Sequence, residues 1–171
     1  MSGVDPDSKS RDGRTALSYA AENGHLAVVE LLLANPEVDP DSKSTQGSAR
    51  GQTPLSYVAS EGRMEVVKLL LKTGRVVVDS RSGSGWTPLL HAAREGHVKM
   101  VQLLLDHGAD PSSVNAQGKY PISYAAAMGR KAVVELLLTR SGHGADSVDE
   151  EGMTPLALAA RNGHQEIVSL L

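Results

Sequence analysis

Thr53-Pro54-Leu55-Ser56-Tyr57, followed by Glu61-Gly62 and then by Val66-Val67-Lys68-Leu69-Leu70-Leu71, is a phrase that returns five times along the chain. Its first leucine or isoleucine recurs at Leu17, Leu55, Leu89, Ile122 and Leu156, so successive copies are offset by 38, 34, 33 and 34 residues. Periods near 33 residues mark a helical solenoid, in which each unit buries its apolar face only by stacking on its neighbours. One unit alone would lose roughly 50 kcal/mol of conformational freedom, with few side chains to bury in return. Stability must therefore come from the junctions between units.

Working outward from the phrase, the Thr53 hydroxyl caps a first helix, and Pro54 takes its first position, where a missing N–H costs nothing. Leu55, Val58 and Ala59 follow at helical spacing, and Gly62 supplies the left-handed residue that ends the helix after about two turns. So short a helix exists only when packed. A second helix runs from about Met64 to Leu71, with Val66, Leu69 and Leu70 on one stripe and Val67 and Leu71 widening it. Apolar on most sides, it is expected to lie between neighbouring helices. The same pattern recurs at 28–33, 101–105 and 133–138. Between helix pairs lie polar, Gly-rich segments such as 5–13, whose turn chemistry predicts protruding, hairpin-like fingers. Gly13, Gly51, Gly85, Gly118 and Gly152 each stand two residues before a cap position, the sign of one recurring turn.

Composition narrows the function. The chain is 40% hydrophobic and has no phenylalanine, so its apolar supply is small and aliphatic, as closely stacked helices need. A net charge of −3 offers no basic footprint for phosphates, and nucleic acid is not expected as a partner. The absence of cysteine excludes disulfides and thiolate metal sites. No run approaches 18 apolar residues and the first five residues form no apolar signal core, so no membrane association and an intracellular location are expected. No Gly-x-Ser-x-Gly, His-Glu-x-x-His or phosphate-binding Gly-x-x-x-x-Gly-Lys pattern occurs, and neither catalysis nor a cofactor is expected. His25, His97 and His164 follow the repeated glycine. Equivalent positions in stacked repeats lie ~10 Å apart, whereas zinc ligands sit ~2 Å from one ion, so these are read as turn residues and no metal is expected. The Asp-Pro-Asp-Ser runs at 5–8 and 39–42 lack calcium-loop spacing and are read as finger turns.

Thr87-Pro88-Leu89-Leu90-His91-Ala92-Ala93, Glu95-Gly96-His97 and Leu103-Leu104-Leu105-Asp106-His107-Gly108-Ala109-Asp110 together resemble the ankyrin repeat. The resemblance extends over residues 4–171. It implies an all-α solenoid of helix-turn-helix pairs with finger loops, a single domain over 1–171 with repeats at about 4–37, 38–77, 78–108, 109–144 and 145–171. Departures are present. The family's usual histidine after Pro-Leu is replaced by Ser18, Ser56, Leu90, Ser123 and Ala157, and Tyr120 replaces a capping threonine, which should weaken that helix start by about 1 kcal/mol. Val-Asp-Pro-Asp-Ser-Lys-Ser recurs at 4–10 and 38–44, as after duplication, and the array is similar to those of large fungal receptor-like multidomain proteins. Leu170-Leu171 falls one residue short of the leucine triplet elsewhere, so a fragment of a longer array is expected.

In this family the fingers and first helices line a concave groove that contacts partners. Carried over by position, the groove-facing helix ends are Glu22 and Asn23, Ser60 and Glu61, Arg94 and Glu95, Ala127 and Met128, and Arg161 and Asn162. They vary while their flanks stay fixed. Trp86 stands just before the cap, where other repeats have Arg14, Gln52, Lys119 and Met153; it is either an aromatic anchor for a partner or a cover for the neighbouring finger. The second finger is four residues longer than the first, and its tip at 45–50 is expected to widen the contact surface. These features point to a noncatalytic module that binds a protein or peptide in its groove and is monomeric when isolated. The alternative is a structural spacer or autoinhibitory arm in a larger receptor-like protein. Irregular spacing and Tyr120 argue against a designed consensus array.

Overall fold

The computed structural model describes residues 4–140 and 145–171, whose regular structure is helical throughout. The helices fall into successive pairs: α1 (Ala16–Glu22) with α2 (Leu26–Leu33), α3 (Pro54–Glu61) with α4 (Met64–Lys72), α5 (Pro88–Glu95) with α6 (Val98–Asp106), α7 (Pro121–Ala127) with α8 (Lys131–Arg140), and α9 (Pro155–Arg161) with α10 (Gln165–Leu170). Odd-numbered helices pack in sequence as one layer, and the even-numbered helices lie behind them as a second. The result is an all-α solenoid.

Local chemistry sets each helix start. Thr53 Oγ1 accepts from Ser56 N at 3.3 Å while Ser56 Oγ accepts from Thr53 N at 3.3 Å, a reciprocal capping box. Thr15, Thr87 and Thr154 cap α1, α5 and α9 in the same sense. Tyr120 makes no side-chain cap bond, as expected of the substitution, and its side chain is instead partly buried against the core. Gly62 and Gly96 end α3 and α5 with φ of 68° and 87°, a left-handed conformation that side-chain-bearing residues avoid.

Packing follows a two-position code on the second helices. Val66, Met100, Val133 and Ile167 are buried, whereas their counterpart Val28, in the first pair, is exposed. What covers this position therefore comes from the preceding pair. Val29, Val67, Val101 and Val134 are buried and their counterpart Val168, in the last pair, is exposed, so the following pair covers that position. Leu17, Leu55, Leu89 and Ile122 complete the same ladder.

The fingers are joined in a row by backbone bonds. Thr45 N donates to Gly13 O (3.1 Å), Gly83 N to Arg50 O (2.8 Å), Ala116 N to Ser84 O (3.0 Å) and Glu150 N to Gln117 O (3.2 Å). Four of the fingers are closed by one side chain: Ser10 Oγ accepts from Arg14 N, Ser82 Oγ from Trp86 N, Asn115 Oδ1 from Lys119 N and Asp149 Oδ1 from Met153 N. The aspartates of 5–8 and 39–42 serve turns and junctions, with Asp7 Oδ2 accepting from Asp39 N at 2.7 Å and Asp41 Oδ1 from Val77 N at 3.3 Å.

Candidate functional site

Two positions per repeat build one face of the layer of first helices. One is the residue before the cap, at the base of the finger; the other lies four residues beyond the cap, on the first helix. The helix positions are Tyr19, Tyr57, His91 and Tyr124, and the finger-base positions Arg14, Gln52 and Trp86 slot between them. The Arg14 guanidinium lies 4.3 Å from the Tyr19 ring centroid and 3.9 Å from that of Tyr57 in the next repeat. Gln52 Nε2 lies 3.4 Å from His91 Nε2. Trp86 lies between His91 of its own repeat, at 4.8 Å, and Tyr124 of the next, at 4.5 Å, tilted against both rings. One interleaved row thus runs across four repeats.

The row is fastened at its sides. Tyr19 donates its hydroxyl to Asp12 at 2.6 Å, and Asn115 Nδ2 donates to the Tyr124 hydroxyl at 2.8 Å. Hydrogen bonds from Ser10 and Tyr19 hold the Asp12 carboxyl below the usual carboxylate range. Burial, with the Arg94 charge nearby, pushes His91 down to about 4, so its imidazole is neutral at pH 7. Arg94 also lies 5.5 Å over the Trp86 ring, within cation–π range.

Of the helix-end residues named from the sequence, the side chains of Glu22 and Arg94 contact the row, through Arg14 and Trp86. Glu22 is paired with Arg14 at 2.7 Å, and Arg94 with Glu95 at 3.0 Å. Asn23 and Asn162 turn their amides back onto the helix, donating to Tyr19 O at 2.9 Å and Leu158 O at 2.8 Å. Glu61, Met128 and Arg161 are exposed, while Ser60 and Ala127 are half-buried. Trp86 is half-buried within the row. Residues 45–48 of the second finger's tip are exposed, and an open cleft toward the third finger is lined by Gly47, Ser48, Arg50, Gly83 and Ser84.

Residues after the glycines tie each repeat to the one before. His97 Nε2 donates to Ser60 O and His164 Nε2 to Ala127 O, both at 2.9 Å. Arg63 Nε donates to Glu22 O and Arg130 Nε to Arg94 O, both at 3.1 Å. Histidine and arginine are interchangeable here because each reaches one carbonyl with one N–H.

Sequence reading missed the four helix positions Tyr19, Tyr57, His91 and Tyr124. The signal was present, since each stands four residues after a cap position, but such a ring interrupts no helical stripe and only its lateral neighbour reveals its use. Among the described residues no group of three or more His, Asp or Glu side chains could hold a metal ion, and no helix is long and apolar enough to cross a membrane.

Comparison with known proteins agrees with this geometry. The family model described as ankyrin repeats (3 copies) matches residues 1–75, 36–115 and 110–171. No curated protein matches the chain significantly. The helix pairs, the finger row and a match that extends over the full length lead to one conclusion: the chain belongs to the ankyrin-repeat family, whose members are generally noncatalytic modules for protein–protein interaction.

Proposed function

We propose that the concave face binds an extended segment of another protein. The interleaved row from Tyr19 to Tyr124 forms its floor, with Trp86 at the centre, and Glu22, Asn23, Ser60, Glu61, Arg94, Glu95, Met128, Arg161 and Asn162 form the edge that selects the partner. One observation carries this reading: the row is ordered by contacts within the protein itself. Side chains already immobilised lose little freedom on binding, so more of the contact energy remains as affinity. Tryptophan, tyrosine and arginine are also the residues on which interface energy concentrates. The role is noncatalytic and intracellular, with the tip at 45–50 widening the surface.

Affinity capture from an extract of the source cells tests the reading. The native chain is compared with a Trp86→Ala/Arg94→Ala/Glu95→Ala variant whose helical circular dichroism is unchanged. A partner held by the native chain and lost from the variant is the expected outcome. Equal capture by both would overturn groove binding.

A further inference from the structure

Four of the chain's five aromatic residues, Tyr19, Tyr57, Trp86 and Tyr124, stand in the interleaved row. Tyr120 alone packs elsewhere, partly buried against the core. The core itself is filled by leucine, valine, isoleucine, alanine and one methionine. The rings are therefore not placed to supply core volume, and their concentration on one face of the first helices calls for another reason.

Around Trp86 the open polar groups are donors. Its indole N–H has no acceptor among the described residues and is not sealed from solvent. The Gln52 amide nitrogen can only donate to His91 Nε2, which puts the proton of the neutral imidazole on Nδ1, a second open donor. Arg94 engages Glu95 through Nε and keeps both Nη groups open beside the indole. Four residues beyond each ring, on the same helix face, stand Asn23, Glu61, Glu95 and Met128. Glu61 is exposed without an ion pair, and Glu95 pairs only with its neighbour Arg94. A row of rings and donors is thus bordered by two carboxylates in successive repeats.

A segment that suits this surface brings free carbonyls to the donors, brings few N–H groups that rings cannot satisfy, and repeats at the ~10 Å spacing of stacked helices. An α-helix has its carbonyls occupied by its own N–H groups. A β-strand returns to the same face every ~7 Å and carries an N–H at each residue. A polyproline II helix has three residues per turn and ~3.1 Å per residue, so it returns every ~9 Å, with its carbonyls free and no N–H at proline. We propose that the segment bound by the row is a polyproline II helix with proline at every third residue and an arginine or lysine beside one of them. The prolines lie on the rings, carbonyls accept from Trp86, His91 and Arg94, and the basic side chain on the adjacent face meets Glu61 or Glu95. Such a segment is extended before it binds, which keeps its ordering cost low. The inference rests on the row being a binding floor and adds the chemistry of what it takes.

Phage-displayed random peptides of about twelve residues, long enough to cross about four repeats, test it. They are panned in parallel on the native chain and on a Trp86→Ala variant with unchanged helical circular dichroism. Sequences held by the native chain and lost from the variant are expected to carry proline at three-residue intervals with a neighbouring arginine or lysine. One of them, synthesised, should shift the emission of Trp86, the single tryptophan of the chain. Replacing its prolines by alanine should weaken binding by about tenfold or more, and Glu61→Gln/Glu95→Gln by about threefold or more. Equal affinity after either change would overturn the proposal. Trp86-dependent sequences without that proline spacing would overturn it and leave groove binding standing, whereas the absence of any Trp86-dependent sequence would overturn both.

Discussion

The indole of Trp86 stacks on the phenol ring of Tyr124 in the following repeat, with ring centroids 4.5 Å apart and planes inclined by 43°. Their Cα atoms belong to segments separated by more than thirty residues, so the contact is a property of the stacking. Tilted pairs of this kind contribute about 0.5–1.5 kcal/mol beyond the area they bury. A double-mutant cycle with Trp86→Ala and Tyr124→Ala, read by urea unfolding, should give a coupling of about 1 kcal/mol. Additive losses would mean that the rings merely lie near one another.

Arg14 has its guanidinium between Tyr19 and Tyr57 and an ion pair with Glu22. Arg14→Ala removes two ring contacts and leaves a half-buried carboxylate without its partner, for an expected loss of about 2 kcal/mol. Arg14→Lys should recover less than half of it, because an ammonium cannot lie flat between two rings. Chemical denaturation of the three proteins measures both steps, and full rescue by lysine would show that charge alone matters.

Gly51 has φ of 83°, and a Cβ there would lie 2.8 Å from the backbone nitrogen of Gly83. That nitrogen donates to Arg50 O and joins the second finger to the third. Gly51→Ala is therefore expected to cost more than about 2 kcal/mol. Gly74, with φ of 65° and nothing within 4 Å, should cost only about 1 kcal/mol when changed to alanine. Thermal unfolding of the two variants compares strain alone with strain plus collision.

His91 titrates near 4 in the folded chain, below its ordinary value of 6.5. Between those values the unfolded chain binds more protons than the folded one, so stability rises with pH across the window and is fully present above 6.5. It is lost as pH falls toward 4, by at most about 3 kcal/mol. Burial raises Asp41 and Asp79 above their ordinary value of 3.8, which acts in the opposite sense as pH climbs from there. Comparing His91→Phe with the wild type removes their effect, and the variant's unfolding free energy should vary less between pH 4 and 6.5. Identical slopes would place the proton elsewhere.

The helix starts were legible because each depends on residues within one turn: Thr53 with Ser56, or Thr87 with the N–H of Leu90. The role of His97 and His164 as turn residues was legible as well, though not the carbonyls they reach. The row through Arg14, Tyr57, His91 and Trp86 was not, because its contacts run sideways between repeats and depend on how far one pair is set from the next. Tyr120 illustrates the limit: its missing cap is visible in the sequence, and its partial burial against the core only in the packing.

The sequence by itself determined the period, the threonine cap of four first helices and the left-handed glycine after all five, and the apolar stripes that demand a solenoid. These are local constraints, set by hydrogen bonds and side-chain spacing within a few residues. Tertiary structure alone decided which face of each valine pair is covered from which side and how finger-base residues interleave with helix rings. Those outcomes depend on distances between segments more than thirty residues apart, which stacking fixes and local chemistry does not.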